Sequence, residues 1–454
     1  MKIHARAYPL LFVFLFLPYV YFNHSDGWNQ GARFAQLHAV VMQGTLQIDK
    51  YHEPIGDKAF INGHYYSEKA PAMSLLALPA FAATVAVQKS MGVDPDAQPG
   101  WRWSEWITTA GSIAILTALG GVAFFALLGP RLGARTALVA TIALFLGSIT
   151  WPYATALFAH AGTIGLLAIV LWSVLARSAS ARKTIIGGLC AGLAVAGEYP
   201  AIFPCGMLGL YLLARDYRRA LLFAAAALPA LLVILINNAL STGSPFTLAY
   251  GSNALFPEIS SSNFFGFNLP SGRAMRGLLW GEYRGLLFWS PVLLMALPGL
   301  VFLWRTNRLL ALAIGAATVL TLIQASSFSG WTGGSAVGPR YLTPAIPLLG
   351  LAAAYGIARF PRIGAALTVV SVAIMATATA IAIDPPDEVL RPVRDWYFVR
   401  MGQDRWAENL GTLLGLSPVA SWIALAAIET PIGWLLLRET RAMPSGREGW
   451  QRSA

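Results

Sequence analysis

Apolar runs recur along the whole chain, most of them about 17–25 residues long, with short basic hinges between them. A run of that length can cross a bilayer only as a helix, because hydrocarbon offers no partner to an open peptide group. Such runs lie near 8–23, 106–128, 137–152, 160–176, 184–197, 199–214, 220–237, 286–304, 309–325, 341–357, 363–383 and 417–437, so about twelve transmembrane helices are expected. The fold class is an all-α integral membrane protein, and residues 1–454 form a single polytopic membrane domain. Only 12% of residues are charged, about half the share of a soluble domain. No run of like charge is long enough for a nucleic-acid partner, and the net charge of +11 reads as an orientation signal.

Sidedness follows from the hinges. Arg131/Arg135, Arg177/Arg182/Lys183, Arg215/Arg218/Arg219, Arg305/Arg308 and Arg359/Arg362 carry twelve cations against one acid, Asp216. The alternate hinges at 148–160 and 197–200 carry no Lys or Arg. Lys and Arg collect on the cytoplasmic side. Lys2 and Arg6 share that side only if an even number of spans separates Arg6 from Arg131. The apolar stretch 71–87 is therefore expected to lie in the outer interface or to re-enter, shaped by Pro71 and Pro79. The first extracytoplasmic loop then covers 24–105, with further outer loops at 238–285, 326–340 and 384–416, a cytoplasmic tail at 438–454 and both termini inside. The N-terminal stretch has the charge and apolar length of a signal peptide but no small-x-small cleavage site, so it reads as a retained span. Cys190 and Cys205 lie in apolar segments and read as small buried hydrophobes.

Every cytoplasmic hinge is short, so the chemistry is expected outside. Residues 24–71 gather five carboxylates (Asp26, Asp49, Glu53, Asp57, Glu68), four cations (Arg33, Lys50, Lys58, Lys69) and four histidines (His24, His38, His52, His64). Lys58 and Lys69 could hold a phosphate or pair with Asp57 and Glu68. Arg340, after a Gly-rich turn, could snorkel or grip a lipid phosphate, and the glycines beside it favour the phosphate. Glu282, Tyr283 and Arg284 either order a site or anchor a span at the interface. His64 and Glu68, in HYYSE, could contribute to a divalent metal site, since His suits zinc and carboxylates suit magnesium; the sequence leaves open whether a metal is needed. Glu429 is the one acid inside a span, where a carboxylate is expensive; it could pair with Arg438 or reach the headgroups.

The order of a first span, an acidic outer loop and the element HYYSEKAPAMSLLALP resembles the GT-C superfamily of membrane glycosyltransferases, including the protein O-mannosyltransferase and aminoarabinose-transferase relatives. The segments SPFTLAYG, WGEYRGLLFWSPVLL and GWTGGSAVGPRYLTPAIPLL resemble stretches of bacterial members. The resemblance implies a bacterial inner-membrane enzyme whose donor is a polyprenyl-phosphate-linked sugar and whose acceptor is a lipid, glycan or protein hydroxyl. A first-loop Asp acts as general base. Asp26 sits just after the first span, where the superfamily places its acid; Arg33-Phe34 matches the Arg-aromatic pair of the aminoarabinose-transferase relatives, while Asn29-Gln30 stand nearer their Asp-Glu position. Asp57, in GDKAF, is the rival. Arg33, Lys58, His64, Tyr66, Glu68, Lys69, Glu282, Arg284 and Arg340 are the candidate substrate-binding residues.

Three rival functions share the membrane. A lipid-linked glycan transporter or flippase would distribute polar residues through its spans, whereas here they pile into one-sided loops. An O-antigen-type polymerase or ligase would use the same face with another donor, and a scaffold would be indifferent to loss of Asp26 or Asp57.

Overall fold

The computed structural model describes residues 6–25, 27–256 and 266–441. Asp26 and the tail beyond Arg441 lie outside the described residues. Helices occupy each of the twelve apolar runs: α1 (Ala7–Tyr21), α4 (Gly100–Leu132), α5 (Ala134–Phe145), α6 (Ala159–Val174), α7 (Ala181–Gly197), α8 (Ile202–Arg215), α9 (Tyr217–Thr242), α10 (Pro291–Thr306), α11 (Arg308–Ser327), α12 (Arg340–Arg359), α13 (Pro361–Ile381) and α14 (Pro418–Arg441). Two more, α2 (Trp28–His38) and α3 (Ala72–Ser90), precede α4. The protein is a multi-pass membrane protein: α3, α4, α9, α11, α12, α13 and α14 are each long and apolar enough to cross a bilayer.

The bundle is held by close backbone approach, as expected where lipid removes the hydrophobic drive between helices. A Cβ at Gly188 or Gly192 of α7 would meet the Phe223 or Ala227 carbonyl of α9. Gly120 of α4 faces Gly165 of α6, and Gly299 of α10 faces the Ala352 carbonyl of α12. The α1 helix is part of the core, with Leu11 and Leu15 buried and the Tyr19 hydroxyl donating to the Phe145 carbonyl at 2.9 Å. It closes on α14, where the Tyr21 hydroxyl donates to the Ser421 carbonyl at 2.8 Å.

The loop region before α3 departs from the expected fold in one respect, because it is not all helical. Lys58–Ile61 (β1) and His64–Ser67 (β2) form an antiparallel hairpin. Its two-residue turn is Asn62-Gly63, with φ of 51° and 86°, the pair of positive values that matches strand twist in a tight hairpin. Segments from elsewhere flank both strands: Gln47 bridges Tyr66, and Asn253, in the segment after α9, bridges Ala59. The α3 helix runs antiparallel beside the first part of α4, where the Gln88 side chain donates to the Gly100 carbonyl and accepts from the Ser104 hydroxyl, both at 2.8 Å. The run expected at 137–152 is interrupted, since α5 ends at Phe145 and a short turn of helix resumes at Thr150–Ala154.

Candidate functional site

Hairpin register builds the centre of the site. Lys58 pairs with Ser67, so the residues just outside the strands, Asp57 on one side and Glu68 and Lys69 on the other, meet at the open end. The Lys69 ammonium lies 2.8 Å from Asp57 and 2.9 Å from Glu68, bridging the two carboxylates. Glu68 is buried, and its second oxygen accepts from the Asn253 side chain, which fixes the segment after α9 to the hairpin. Burial opposes the charge on Lys69, but Asp57 and Glu68 outweigh it and raise its pKa. Burial likewise pushes Asp57 up, and Lys69, Arg340 and Arg33 together overcome it and hold this carboxyl below its ordinary range.

Two guanidiniums complete the cluster. Arg33 is buried on α2 and donates to the Asn29 carbonyl at 3.1 Å and to the Asn29 side chain. Burial lowers its pKa to about 10, against the raising pull of Asp57 and with Arg340 adding a like charge. Arg340 opens α12 with its side chain laid along Gly333, where a Cβ would sit 2.9 Å from Nε, and its guanidinium stands 5.4 Å from the Tyr341 ring. Gly333 has φ of +80°, so this position needs glycine for both space and backbone. Neither Arg33 nor Arg340 makes a contact ion pair among the described residues, and the Nε of each has no hydrogen-bond partner there. The cluster thus holds two carboxylates, an ammonium paired to both, and two arginines whose charge acts at longer range. Beside it, His160 at the start of α6 is joined to Glu198 at the end of α7.

Arg284 lies behind Arg340 rather than in the cluster. It is fully buried, donating from Nε to the Thr332 carbonyl at 2.7 Å and from Nη2 to the Gly334 carbonyl at 2.6 Å. It therefore pins both residues flanking Gly333 and so fixes the surface on which Arg340 rests. Tyr283 and Thr332 donate to Asp387 at 2.6 and 3.2 Å, and the Glu282 carboxylate accepts from the Val393 amide at 3.0 Å, which ties the 384–416 loop to the same wall.

Other expected site residues are placed apart. Lys58 donates to the His52 carbonyl at 2.7 Å and lies over Tyr65. His64 is exposed and bonds Asp49 at 2.7 Å, so His64 and Glu68 do not converge on one point. Tyr66 is nearly buried, and its hydroxyl accepts from Gln47 at 3.5 Å. Among the described residues no group of three or more His, Cys, Asp or Glu side chains is positioned to hold a metal ion. Among the described residues Glu429 meets no hydrogen-bond partner with either oxygen, and Arg438 lies over Trp434. Both cysteines are free.

Sequence reasoning missed Asn253 and Tyr250. Tyr250 lies within reach of the Glu68 and Asp57 charges, and burial raises its pKa, so its hydroxyl keeps its proton. Both belong to the stretch SPFTLAYGSN, and an Asn following an aromatic-Gly pair was the available signal.

No protein-family model matches the chain, and no curated protein does. Among solved structures, the chain is similar to ArnT from Cupriavidus metallidurans bound to undecaprenyl phosphate, with a TM-score of 0.50 and 20% identity over 96% of this chain and 76% of that one. It is also similar to the same protein in the apo state, with a TM-score of 0.49 and 19% identity over 98% of this chain and 78% of that one. The first likeness shows a shared fold and agrees with the architecture that the sequence resemblance implies.

Proposed function

We propose that the chain is a GT-C-type glycosyltransferase that moves a sugar from a polyprenyl-phosphate donor to an acceptor hydroxyl at the outer face of a bacterial inner membrane. The observation that carries this reading is the cluster of Asp57, Lys69, Arg33 and Arg340, a carboxylate held among three cations. The shared fold with a protein described with undecaprenyl phosphate supports the donor class.

In this reading the acceptor oxygen attacks the anomeric carbon as the bond from that carbon to the phosphate oxygen breaks. The acceptor proton passes to the Asp57 carboxylate, and polyprenyl phosphate leaves with the bonding pair. Arg33, Lys69 and Arg340 stabilise the phosphate charge; the two arginines offer donor forks suited to it. A carboxylate held low by cations is a weak base. The donor phosphate competes for Lys69 and Arg340 and so releases Asp57 toward a higher pKa as the ternary complex forms. Glu68 positions Lys69, and Glu282 and Arg284 position the wall behind Arg340. Lys58 and His64, which the register puts on opposite faces of the hairpin, are the candidates for contact with the acceptor, with Tyr66 bracing the hairpin. Asp26 remains the alternative base.

The same reading makes α3 a juxtamembrane helix, gives twelve crossings and places both termini inside. The supporting observation is that α3 lies along the start of α4. With 33 residues, α4 is about 50 Å long, roughly 20 Å more than the hydrocarbon core needs.

The test is turnover of polyprenyl-phosphate sugars by the purified full chain in lipid nanodiscs. Asp57→Asn is expected to lower kcat by about 100-fold or more with donor binding retained, and Arg340→Gln to weaken donor binding. Full turnover in both Asp57→Asn and Asp26→Asn would remove the first-loop base. Failure of the wild-type chain to bind any such donor would remove the reading itself.

A further inference from the structure

The helices that begin near the ionic cluster end at a second polar feature. His160 opens α6 and Arg340 opens α12. A cavity of about 430 Å³ lies at their opposite ends. It is closed by the termini of seven helices and lined by Arg131, Arg177, Arg215 and Arg219. From His160 to Val174 is 16 helical residues counting from Ala159, about 24 Å, so this cavity is remote from Asp57 and on the basic-hinge face.

The cavity contrasts with the outer cluster in its charge. No carboxylate lines it. Arg131 donates to the Leu127 and Leu175 carbonyls, and Arg177 donates to the Pro130 carbonyl at 2.6 Å. Arg215 donates to the Asn307 side chain at 3.3 Å, and Arg219 to the Thr184 hydroxyl at 3.2 Å. All these acceptors are neutral. None of the four arginines makes an ion pair among the described residues, and the nearby Asp216 is engaged in capping α9 through the Arg218 and Arg219 amides, each at 3.1 Å. Arginines that merely mark the inner face of a membrane protein reach separately into headgroups and water. Here four converge on one hollow, where their mutual repulsion calls for an anion. The rest of the lining mixes neutral polar side chains, Tyr211, Thr306, Asn307 and Tyr355, with an apolar strip that includes Val174, Leu212 and Leu303.

We infer that this cavity binds a phosphate group, supplied either by the headgroup of an anionic lipid in the inner leaflet or by free phosphate. Guanidinium forks match phosphate oxygens in geometry and charge, and the apolar strip can accept the first carbons of an acyl chain. The site is independent of the proposed transfer chemistry.

The purified full chain in neutral detergent is titrated with phosphatidic acid, with diacylglycerol as the phosphate-free control and with inorganic phosphate in a separate arm. Bound ligand is counted by native mass spectrometry and affinity is read by calorimetry. One phosphatidic acid, or one inorganic phosphate, is expected per chain, with affinity at least fivefold weaker in R177Q/R215Q and unchanged in R359Q/R362Q, which removes equal charge from the same face outside the cavity. Binding of phosphatidic acid alone identifies a lipid source, and binding of inorganic phosphate with the same arginine dependence a soluble one. Should the double variant fail to fold, R215Q alone, which loses the bond to Asn307 and the stacking over Tyr211, is expected to weaken binding at least twofold. Equal binding by wild type and cavity variants, or equal loss in R359Q/R362Q, overturns the inference.

Discussion

At the scale of single residues, His38 shows how burial can outweigh a neighbouring charge. It stacks 4.1 Å from Trp101 and lies 4.7 Å from Phe81 and 4.9 Å from Phe34, while Nδ1 donates to Asp96 at 2.9 Å. Burial lowers its pKa from 6.5 to about 4, against the raising effect of Asp96 and with Lys50 adding to the fall. The folded chain thus keeps this imidazole neutral where the unfolded chain protonates it. Its contribution to stability is complete above pH 6.5 and is lost as pH falls toward about 4. The full loss is on the order of 3 kcal/mol. His24, lowered to about 4 by burial, acts in the same window, whereas Asp49, Asp57 and Asp96, held below 3.8, act beneath it. Melting curves from pH 7 to 4 should show falling stability in the wild type and a shallower fall in His38→Gln; an identical slope in both would contradict the argument. The sequence offered Asp57 and Glu68 as partners of Lys58 and Lys69 but not which lysine takes them. Lys69 and Asp57 are twelve positions apart, yet they meet because a hairpin turns between them. Glu68 finds Asn253 across 185 positions, a contact that no local pattern encodes. Arg284 stood among the candidate substrate-binding residues; its donors meet the Thr332 and Gly334 carbonyls and, at 3.4 Å, the Asp387 carboxylate.

At the scale of elements, the twelve helical runs were legible because apolar length alone requires a helix in lipid. Breaks inside runs were less so: the split of α7 from α8 shows as Gly197 to Pro200, whereas the stop of α5 at Phe145 is marked only by the small pair Gly147-Ser148. The hairpin was legible from Asn62-Gly63 but was overlooked among charged neighbours. Packing between helices depends on small residues whose partners the sequence does not name. Gly192 of α7 sits against the Ala227 carbonyl and 3.0 Å, at a built Cβ, from the Ala230 methyl. Gly192→Leu should force α7 from α9 and cost roughly 1–3 kcal/mol, read as a lower midpoint in a detergent thermal-stability assay. Gly206, with open space around it, is the matched control, and Gly206→Leu should leave the midpoint nearly unchanged.

At the scale of the whole molecule, polarity is divided between two ends with different chemistry. One end carries carboxylates interleaved with cations, and the other carries arginines with only neutral acceptors. The positive-inside rule assigns the first to the outside. On a Cys190→Ala/Cys205→Ala background, a membrane-impermeant thiol reagent added to intact spheroplasts should label His64→Cys, because His64 is exposed on the hairpin. It should label Arg362→Cys only after lysis. The reverse pattern would invert the topology and move the proposed transfer to the wrong side.

Because α6 and α12 each run from one polar end to the other, they act as stiff rods joining the two leaflets. A rod about 24 Å long that tilts by about 10° around its midpoint swings its tips roughly 2 Å in opposite directions. The separation of the ionic cluster from the arginine hollow is therefore a fixed length of helix, and a small tilt shifts both ends by the same amount without bringing them together.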